Sequence, residues 1–253
     1  MKILFLAKDS DSSKYMINAV KKDYAISKIV LESGVSKTKL LKRRIKKLGV
    51  FKVLGQLLFQ LVVVKILKIS SRARLKEIIE RANFDNTELD SDKIIKVNSV
   101  NNKETINLIK LESPDVIVVN GTRILSTKVL ESTNAIILNT HVGITPKYRG
   151  VHGGYWSLVN KDIENFGVTV HLIDKGIDTG DIIYQDRAYI SSKDNFTTYP
   201  LIQLDKGISL MKKALLDIKN NNLQAFKRDL PSKLWSHPTI VEYFYNRIFK
   251  DVK

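Results

Sequence analysis

The stretch PDVIVVNGTRILSTKVLESTNAIILNTH, residues 114–141, decides the fold. Its near-continuous runs of Val, Ile and Leu at 116–119 and 135–138 are typical of strands that are buried on both faces. Between these runs the sequence predicts a turn at 121–126 and a short helix at 127–133. A strand, a helix and a second strand in this order predict two parallel strands joined by a crossover helix.

The same alternation continues along the chain. Further strands are predicted at 2–7, 25–31 and 94–97, and helices at 15–20, 101–113, where an Asn caps the start, and 198–219. The alternating stretches 168–173 and 182–190 predict an antiparallel hairpin. We therefore expect an α/β fold with a mostly parallel sheet.

Length and composition limit the class of protein. A chain of 253 residues that is 43% hydrophobic can bury a sizeable core, which excludes wholesale disorder. The absence of cysteine excludes disulfides and thiolate chemistry, and it suits a reducing compartment. The apolar run after Met1 is too short for a signal peptide, so we expect a cytoplasmic protein.

The positive charge is concentrated in one segment. Of the 16 net positive charges, 13 lie between 37 and 76, where no acidic residue occurs. The remaining 29 basic and 26 acidic residues are nearly balanced. The basic residues are Lys37, Lys39, Lys42, Arg43, Arg44, Lys46, Lys47, Lys52, Lys65, Lys68, Arg72, Arg74 and Lys76.

This basic segment also contains an apolar centre. Residues 37–80 are helical in pattern, with Gly49 and Gly55 as the only interruptions, and the centre reads LGQLLFQLVVVKILKI (54–69). A bilayer-spanning helix needs about 20 mostly apolar residues. Polar residues break this run too often for a span, namely Lys52, Gln56, Gln60, Lys65 and Lys68. Two interpretations remain open: a helix buried in a core or dimer, and an amphipathic helix on an anionic membrane surface.

Polar side chains follow the predicted parallel strands. Asn120 and Asn139 lie at strand ends, His141 follows two residues later, and an Asp-rich loop occupies 174–181. In a parallel sheet, ligands bind outside the carboxyl ends of the strands. A neutral His can accept a proton, a carboxylate can orient it, and an Asn amide can donate to an oxyanion. With no Ser or Cys nucleophile in these stretches, the pattern suits acyl transfer by direct attack of an amine.

Each of these residues also has a structural explanation. A lone His is more often a hydrogen-bonded structural residue, and Asp174 and Asp178 could build a turn. Calcium is disfavoured because the loop lacks alternating oxygen ligands and a closing Glu. His152 and His171 without any Cys make a poor zinc signal, so no metal is expected.

The ordered combination of motifs is more specific than any one of them. PDVIVVNGTRILS (114–126), NTHVGITPKYRG (139–150) and GVTVHLIDKGIDTGDIIYQ (167–185) together resemble the formyltransferases that use 10-formyltetrahydrofolate. The resemblance is strong over about residues 93–190. It implies a Rossmann-like formyltransferase fold, with a catalytic domain at 1–199 that carries a basic helical insertion at 37–80. Residues 200–253 would form a C-terminal helix and a short extension.

The resemblance also implies roles for individual residues. The substrate amine would attack the formyl carbon, Asn139 and protonated His141 would stabilise the tetrahedral oxyanion, and Asp178 would orient His141 and assist proton transfer. The segment whose backbone meets the pterin would be Gly121, Thr122, Arg123, Ile124 and Leu125, with Ile173 and Asp174 in the opposite wall. The loop on the acceptor side would contain Pro146, Tyr148, Arg149 and Gly150.

The acceptor is expected to be an amino sugar linked to a nucleotide, as in surface polysaccharide biosynthesis. The glycinamide ribonucleotide enzymes carry a Gly-rich phosphate loop after the first strand, where this chain has AKDSDSS, and the methionyl-tRNA enzymes carry a second domain for which 200–253 is too short. YRGVHGGYWSLVNKD (148–162) looks most like the sugar N-formyltransferases. Candidates for contacting the nucleotide are Tyr155, Trp156, Trp235 and Tyr243, with Arg149, Lys147 or the basic segment supplying the cations for its phosphates. The chain departs from relatives at Gly143-Ile144-Thr145, where they commonly carry Ser-Leu-Leu.

Alternatives from other functional classes remain at this point. The acceptor could be an aminoacyl-tRNA or a lipid-linked amino sugar, or the chain could be an inactive adaptor on a membrane surface. The expected partners are an amino-sugar nucleotide, an anionic membrane surface contacted through 37–76, and a second copy in a homodimer, whereas nucleic acid is disfavoured. The expected location is therefore the cytoplasm, either free or peripheral to the membrane.

Overall fold

The computed structural model describes residues 1–34 and 37–253 and is built around a seven-stranded sheet. The strands lie in the order β3-β2-β1-β4-β5-β7-β8. The first five are mutually parallel, β7 is antiparallel to β5, and β8 is antiparallel to β7. Their bounds are β1 (Ile3–Lys8), β2 (Ile26–Glu32), β3 (Ile94–Val97), β4 (Val116–Asn120), β5 (Ile136–His141), β7 (Gly167–Leu172) and β8 (Ile182–Arg187). The predicted mostly parallel α/β sheet and its terminal hairpin are confirmed.

A second, two-stranded ribbon lies apart from the main sheet. It pairs β6 (Arg149–Gly150) with β9 (Leu234–Trp235) in parallel. The loop that follows β5 is therefore attached to the C-terminal part of the chain.

Helices connect the strands and cover the sheet. They are α1 (Asp11–Lys21), α2 (Lys37–Leu48), α3 (Val50–Leu58), α4 (Val64–Ser70), α5 (Arg72–Arg81), α6 (Lys103–Glu112), α7 (Thr127–Leu130), α8 (Gly153–Val159), α9 (Tyr199–Lys219) and α10 (Ile240–Phe249). The predicted cap of α6 is confirmed, because the Asn102 side chain accepts from the Thr105 amide at 2.8 Å.

The sheet separates two apolar layers. Along β1, Phe5 faces the layer that contains α1 and α9, while Leu6 faces the layer that contains α6 and α7. Met211 of α9 is fully buried in the first of these layers. Residues 200–219 therefore belong to the same core as the strands that carry the predicted site.

The helical insertion packs on a third apolar cluster beside the sheet. Phe59 and Ile78 are fully buried there, together with Tyr155 and Tyr243. Gly49, at φ 82°, separates α2 from α3, as expected of a helix breaker. The predicted interruption at Gly55 is wrong: Gly55 lies inside α3, where an added Cβ would approach Thr239 Cβ to 3.0 Å.

A π-helical turn, Phe59–Val63, joins α3 to α4. Val50–Ser70 is therefore a continuous helical stretch of 21 residues. It is the one helix in the described part of the chain that is long and apolar enough to cross a membrane by length and composition, with a mean hydropathy of 1.9.

Candidate active site

The three predicted catalytic residues converge at the carboxyl end of β5. Antiparallel pairing places Asn139 opposite His171 of β7, and the loop after β7 returns Asp178 to the same place. His141 Nδ1 lies 3.4 Å from Asp178 Oδ2, and Asn139 Nδ2 lies 3.1 Å from His171 Nε2. Four polar side chains from two strands and one loop thus form one cluster.

His141 is buried and held in a defined tautomer. Its Nε2 lies 2.7 Å from the Tyr148 carbonyl oxygen, which can only accept, so Nε2 carries a hydrogen. Burial lowers the pKa of His141, and the charge of Asp178 and the bond to Tyr148 offset that effect only in part. At neutral pH the ring is therefore uncharged, with its free lone pair on Nδ1, beside Asp178.

Asp178 is fixed as a carboxylate. Its Oδ2 accepts a hydrogen bond from the Gly150 amide at 2.8 Å. Burial alone would raise the pKa of Asp178, but the protonated forms of His141 and His171 and the Gly150 amide favour the carboxylate and lower the pKa to about 2. Its backbone lies in the left-handed region at φ 50°, a conformation that Asp tolerates better than most residues.

His171 orients the amide of Asn139. His171 Nδ1 lies 2.7 Å from the Leu172 carbonyl, so Nδ1 carries a hydrogen and Nε2 accepts from Asn139 Nδ2. One N–H of the Asn139 amide remains for a ligand. The sequence suggested His171 only as a weak zinc ligand and did not predict this contact, although alternation along 168–173 places His171 on one face of β7.

The unusual segment Gly143-Ile144-Thr145 is tied to the hairpin. The Thr145 amide donates to Thr169 Oγ1 at 3.1 Å, and Thr169 Oγ1 donates to the Gly143 carbonyl at 2.7 Å. Gln185 donates to the Thr145 carbonyl at 2.8 Å. A Cβ at Gly143 would lie 2.6 Å from both His141 Nε2 and the Tyr148 carbonyl oxygen, so this position requires glycine.

The predicted acceptor-side loop forms the rim above His141. Tyr148 is buried, and its hydroxyl donates to Asp162 Oδ2 at 2.7 Å, so it contributes through its carbonyl and its packing. Arg149 donates to the Ile177 carbonyl at 3.0 Å, which joins the rim to the Asp178 loop. Gly150 at φ 93° pairs with β9, and the Pro146 carbonyl accepts from Lys233. The Tyr155 and Tyr243 side chains are buried in the third cluster, away from solvent.

The predicted pterin segment begins with a turn at the end of β4. Gly121 adopts φ 68°, and Thr122 Oγ1 donates to the Arg123 carbonyl at 2.9 Å. Leu125 is buried, whereas Ile124 is 57% exposed and free to contact a ligand. On the other wall, the Ile173 amide donates to the Ile137 carbonyl at 2.9 Å.

Two carboxylates beside the predicted pterin segments, Glu32 and Asp174, are both engaged in hydrogen bonds within the protein. Glu32 ends β2, is buried, accepts from the Val100 amide at 2.8 Å and forms an ion pair with the Arg123 guanidinium. Asp174 accepts from the Gly176 amide at 2.9 Å and from Thr179 Oγ1 at 2.7 Å, which closes a turn. Glu32 was not predicted; its position at the carboxyl end of a parallel strand was the available signal.

Within residues 1–34 and 37–253, no group of three or more His, Cys, Asp and Glu side chains is arranged to hold a metal ion.

Comparison with known proteins agrees with the motifs. Residues 52–215 match a family model described as formyl transferase. The chain is 33% identical over 129 residues to the methionyl-tRNA formyltransferase of Trichodesmium erythraeum, an alignment covering 51% of this chain and 38% of that protein. The matched part of the chain thus spans well under half of that relative.

Solved structures share the fold at low sequence identity. A sugar N-formyltransferase from a Shewanella species superimposes with a TM-score of 0.58, at 18% identity, over 93% of this chain and 76% of that one. The N-formyltransferase from Helicobacter canadensis, solved with folinic acid and dTDP-3-aminofucose, gives a TM-score of 0.55 at 21% identity, over 93% and 71%. The family model covers more than half of the chain, and the mostly parallel sheet agrees with the resemblance found in the motifs; the chain therefore belongs to the formyl transferase family.

Proposed function

We propose that the chain transfers a formyl group from 10-formyltetrahydrofolate to the primary amine of an amino sugar linked to a nucleotide. The observation that carries the proposal is the cluster of half-buried Asn139, buried His141 and half-buried Asp178 at the carboxyl edge of the sheet. Together these groups offer an oxyanion donor, a proton acceptor and a counter-ion, which are the functions that acyl transfer to an amine requires.

The proton acceptor is neutral His141. A proton released by the acceptor amine can come to rest on Nδ1, with the Asp178 carboxylate as counter-ion, while Nε2 stays bonded to the Tyr148 carbonyl. Because Asp178 keeps its charge down to a pKa of about 2, the counter-ion is present throughout the working range of pH.

The oxyanion donor is the Asn139 amide. Its link to His171 fixes the amide plane, and its second N–H is available to a developing negative charge. A preoriented donor in a water-poor site stabilises charge without reorganising during the reaction.

The walls of the cleft fit a folate donor. When bound, 10-formyltetrahydrofolate supplies a formyl group on nitrogen, ready for transfer to an amine. Near this edge of the sheet, left-handed Gly121, exposed Ile124 and the turn closed by Asp174 offer backbone groups and one exposed apolar side chain. These are suitable contacts for a flat, hydrogen-bonding ring with an apolar face.

The choice of an amino-sugar nucleotide rests on the acceptor-side motif and on the sugar N-formyltransferases among the similar structures. Those structures share the fold at under 25% identity, and phosphoribosylglycinamide formyltransferases share it too, so the fold alone does not select the acceptor. The sequence relatives are methionyl-tRNA formyltransferases, which makes aminoacyl-tRNA the second candidate.

An acceptor panel tests the proposal. Purified full chain would be incubated with 10-formyltetrahydrofolate and, separately, with dTDP- and UDP-linked amino sugars, glycinamide ribonucleotide and methionyl-tRNA, with mass detection of the product. We expect formylation of an amino-sugar nucleotide and a loss of at least about 100-fold in kcat for His141→Ala. Lys110→Ala, an exposed change on α6, is the control that should leave the rate unchanged. Formylation of methionyl-tRNA alone would refute the acceptor, and full activity of His141→Ala would refute the mechanism.

A further inference from the structure

We propose that the outward face of Val50–Ser70 and the lysines around it form a docking surface for an anionic lipid bilayer. The proposal concerns an interaction surface and does not depend on which amine accepts the formyl group.

The inner face of this helical stretch is attached to the enzyme. Phe59 is fully buried, with its ring centroid 4.8 Å from that of Phe196 and 5.0 Å from that of Tyr243. Gln56 Nε2 donates to the His237 carbonyl at 2.6 Å. The helix therefore has a fixed orientation, and its other face points away from the protein.

That other face is apolar and exposed. Its members recur at spacings of three and four residues, as one face of a helix requires, and have exposed fractions between 42% and 91%. They are Phe51, Leu54, Leu58, Leu61, Val62, Ile66 and Ile69, and we call them the apolar stripe. Large contiguous apolar patches of this kind mark interaction sites on otherwise polar surfaces.

Basic side chains lie in and beside the apolar stripe. Lys65 falls within it, Lys52 and Lys68 lie on the same helical stretch, and Lys42, Arg43, Lys46, Lys47 and Arg72 lie on the helices before and after it; all are exposed. In the described part of the chain none of these eight forms an ion pair. Long lysine side chains can extend past an apolar surface to reach phosphate groups.

Charge selects the occupant. A second copy placed on the apolar stripe would bring two segments of 13 positive charges together, which opposes association. A nucleic-acid backbone would neutralise the lysines and leave the apolar stripe in water. An anionic bilayer satisfies both at once, since headgroups attract the lysines and the acyl boundary covers the apolar side chains.

The helix lies in the bilayer surface rather than across it. Val50–Ser70 has the length and hydropathy of a span, but crossing would remove Phe59 and Val63 from the third core cluster. Of the two interpretations left open by the sequence, each describes one face of the helix: the inner face packs on protein, and the outer face is unpartnered within the described residues.

Vesicle co-sedimentation tests the proposal with the full chain. We expect binding to phosphatidylcholine vesicles that contain phosphatidylserine, at least tenfold weaker binding to phosphatidylcholine alone, and release at high ionic strength. Leu58→Gln/Leu61→Gln and Lys65→Glu/Lys68→Glu should each weaken binding at least tenfold. The matched controls Leu111→Gln and Lys110→Glu/Lys219→Glu, exposed positions on α6 and the last residue of α9, should bind like the unchanged chain.

Three results would overturn the proposal. One is the absence of binding to anionic vesicles, and another is equal weakening by the control variants. The third is light scattering without lipid that shows a dimer which Leu58→Gln/Leu61→Gln dissociates, since a second copy would then occupy the apolar stripe. Formyl transfer measured in lipid-free solution should be unaffected by these variants, which separates this test from that of the proposed reaction.

Discussion

At the residue scale, Gly143 controls the position of His141, the proposed base. The bond between His141 Nε2 and the Tyr148 carbonyl closes directly over Gly143, and an added Cβ would lie 2.6 Å from both atoms. Gly143→Ala should therefore separate them and lower kcat at least tenfold, with a smaller effect on KM. Gly34→Ala, where an added Cβ has no neighbour within 4 Å, is the control. An unchanged kcat in Gly143→Ala would show that the bond to Tyr148 is dispensable.

The same cluster predicts a pH profile. His141 must be neutral to accept a proton, and burial lowers its pKa below the ordinary value of 6.5. We expect kcat/KM to rise with pH through an inflection below 6.5 and to level off by neutral pH. Asp178→Asn removes the charge that favours protonated His141, so the inflection should move to lower pH while the rate falls about 100-fold. An inflection above 6.5 in the unchanged protein would contradict the neutral resting state.

The residues of the candidate site were partly predictable from sequence. Asn139 and His141 lie two residues apart at the end of β5, so their proximity is local, and the motif supplied Asp178. His171 and Glu32 were missed because their contacts join residues that are distant in sequence. His171 of β7 lies opposite Asn139 of β5, and Glu32 at the end of β2 accepts from the Arg123 amide after β4. The requirement for glycine at 143 depends on the Tyr148 carbonyl, and no local sequence pattern predicts that contact.

At the element scale, a half-buried histidine pair joins α8 to the segment before α10. His152 Nε2 lies 2.9 Å from His237 Nδ1, and burial lowers the pKa of His152 to about 3 and of His237 to about 4. Unfolded histidine titrates near 6.5, so the unfolded chain binds more protons between about pH 4 and 6.5. Stability is therefore complete above pH 6.5 and falls as pH drops below it.

Each histidine should cost about 2 kcal/mol of unfolding free energy at pH 5 relative to pH 7. Thermal unfolding at the two pH values measures this loss. His237→Gln keeps a polar side chain without the titration and should reduce the drop, even if its stability at pH 7 is lower. An equal drop in this variant would assign the acid sensitivity to other groups.

Elements whose sequence fits a single environment were predictable. For the insertion, the helix was predictable but its buried face was not. Runs such as 116–119 fit only a strand buried on both faces, and α6 carried its cap in the sequence. Residues 50–70 are apolar on both faces, so periodicity predicted a helix but could not say which face packs on protein. That choice depends on Phe196 and Tyr243, more than 100 residues away.

At the scale of the whole molecule, the third core cluster joins parts that are distant in sequence. It combines Phe59 of the insertion with Tyr155 of α8, Tyr199 of α9 and Tyr243 of α10. The ribbon of β6 and β9 adds a second connection from the C-terminal part to the active-site rim. The insertion and the C-terminal region thus support the same loop that covers His141, although neither supplies one of the seven strands of the main sheet.

Phe59 provides the strongest test of this arrangement. Phe59→Ala removes a fully buried ring that contacts Phe196 and Tyr243, and such truncations cost about 3–5 kcal/mol of unfolding free energy. Phe51→Ala is a matched control on the same helical stretch, because that ring is 91% exposed and its loss should change stability by less than about 0.5 kcal/mol. Urea unfolding measures both changes.

If the cluster supports the rim, Phe59→Ala should also lower kcat at a temperature where the variant is still folded. Phe51→Ala should leave kcat unchanged and weaken only binding to anionic vesicles. Equal unfolding free energies for the two variants would mean that the insertion is attached to the enzyme by other contacts.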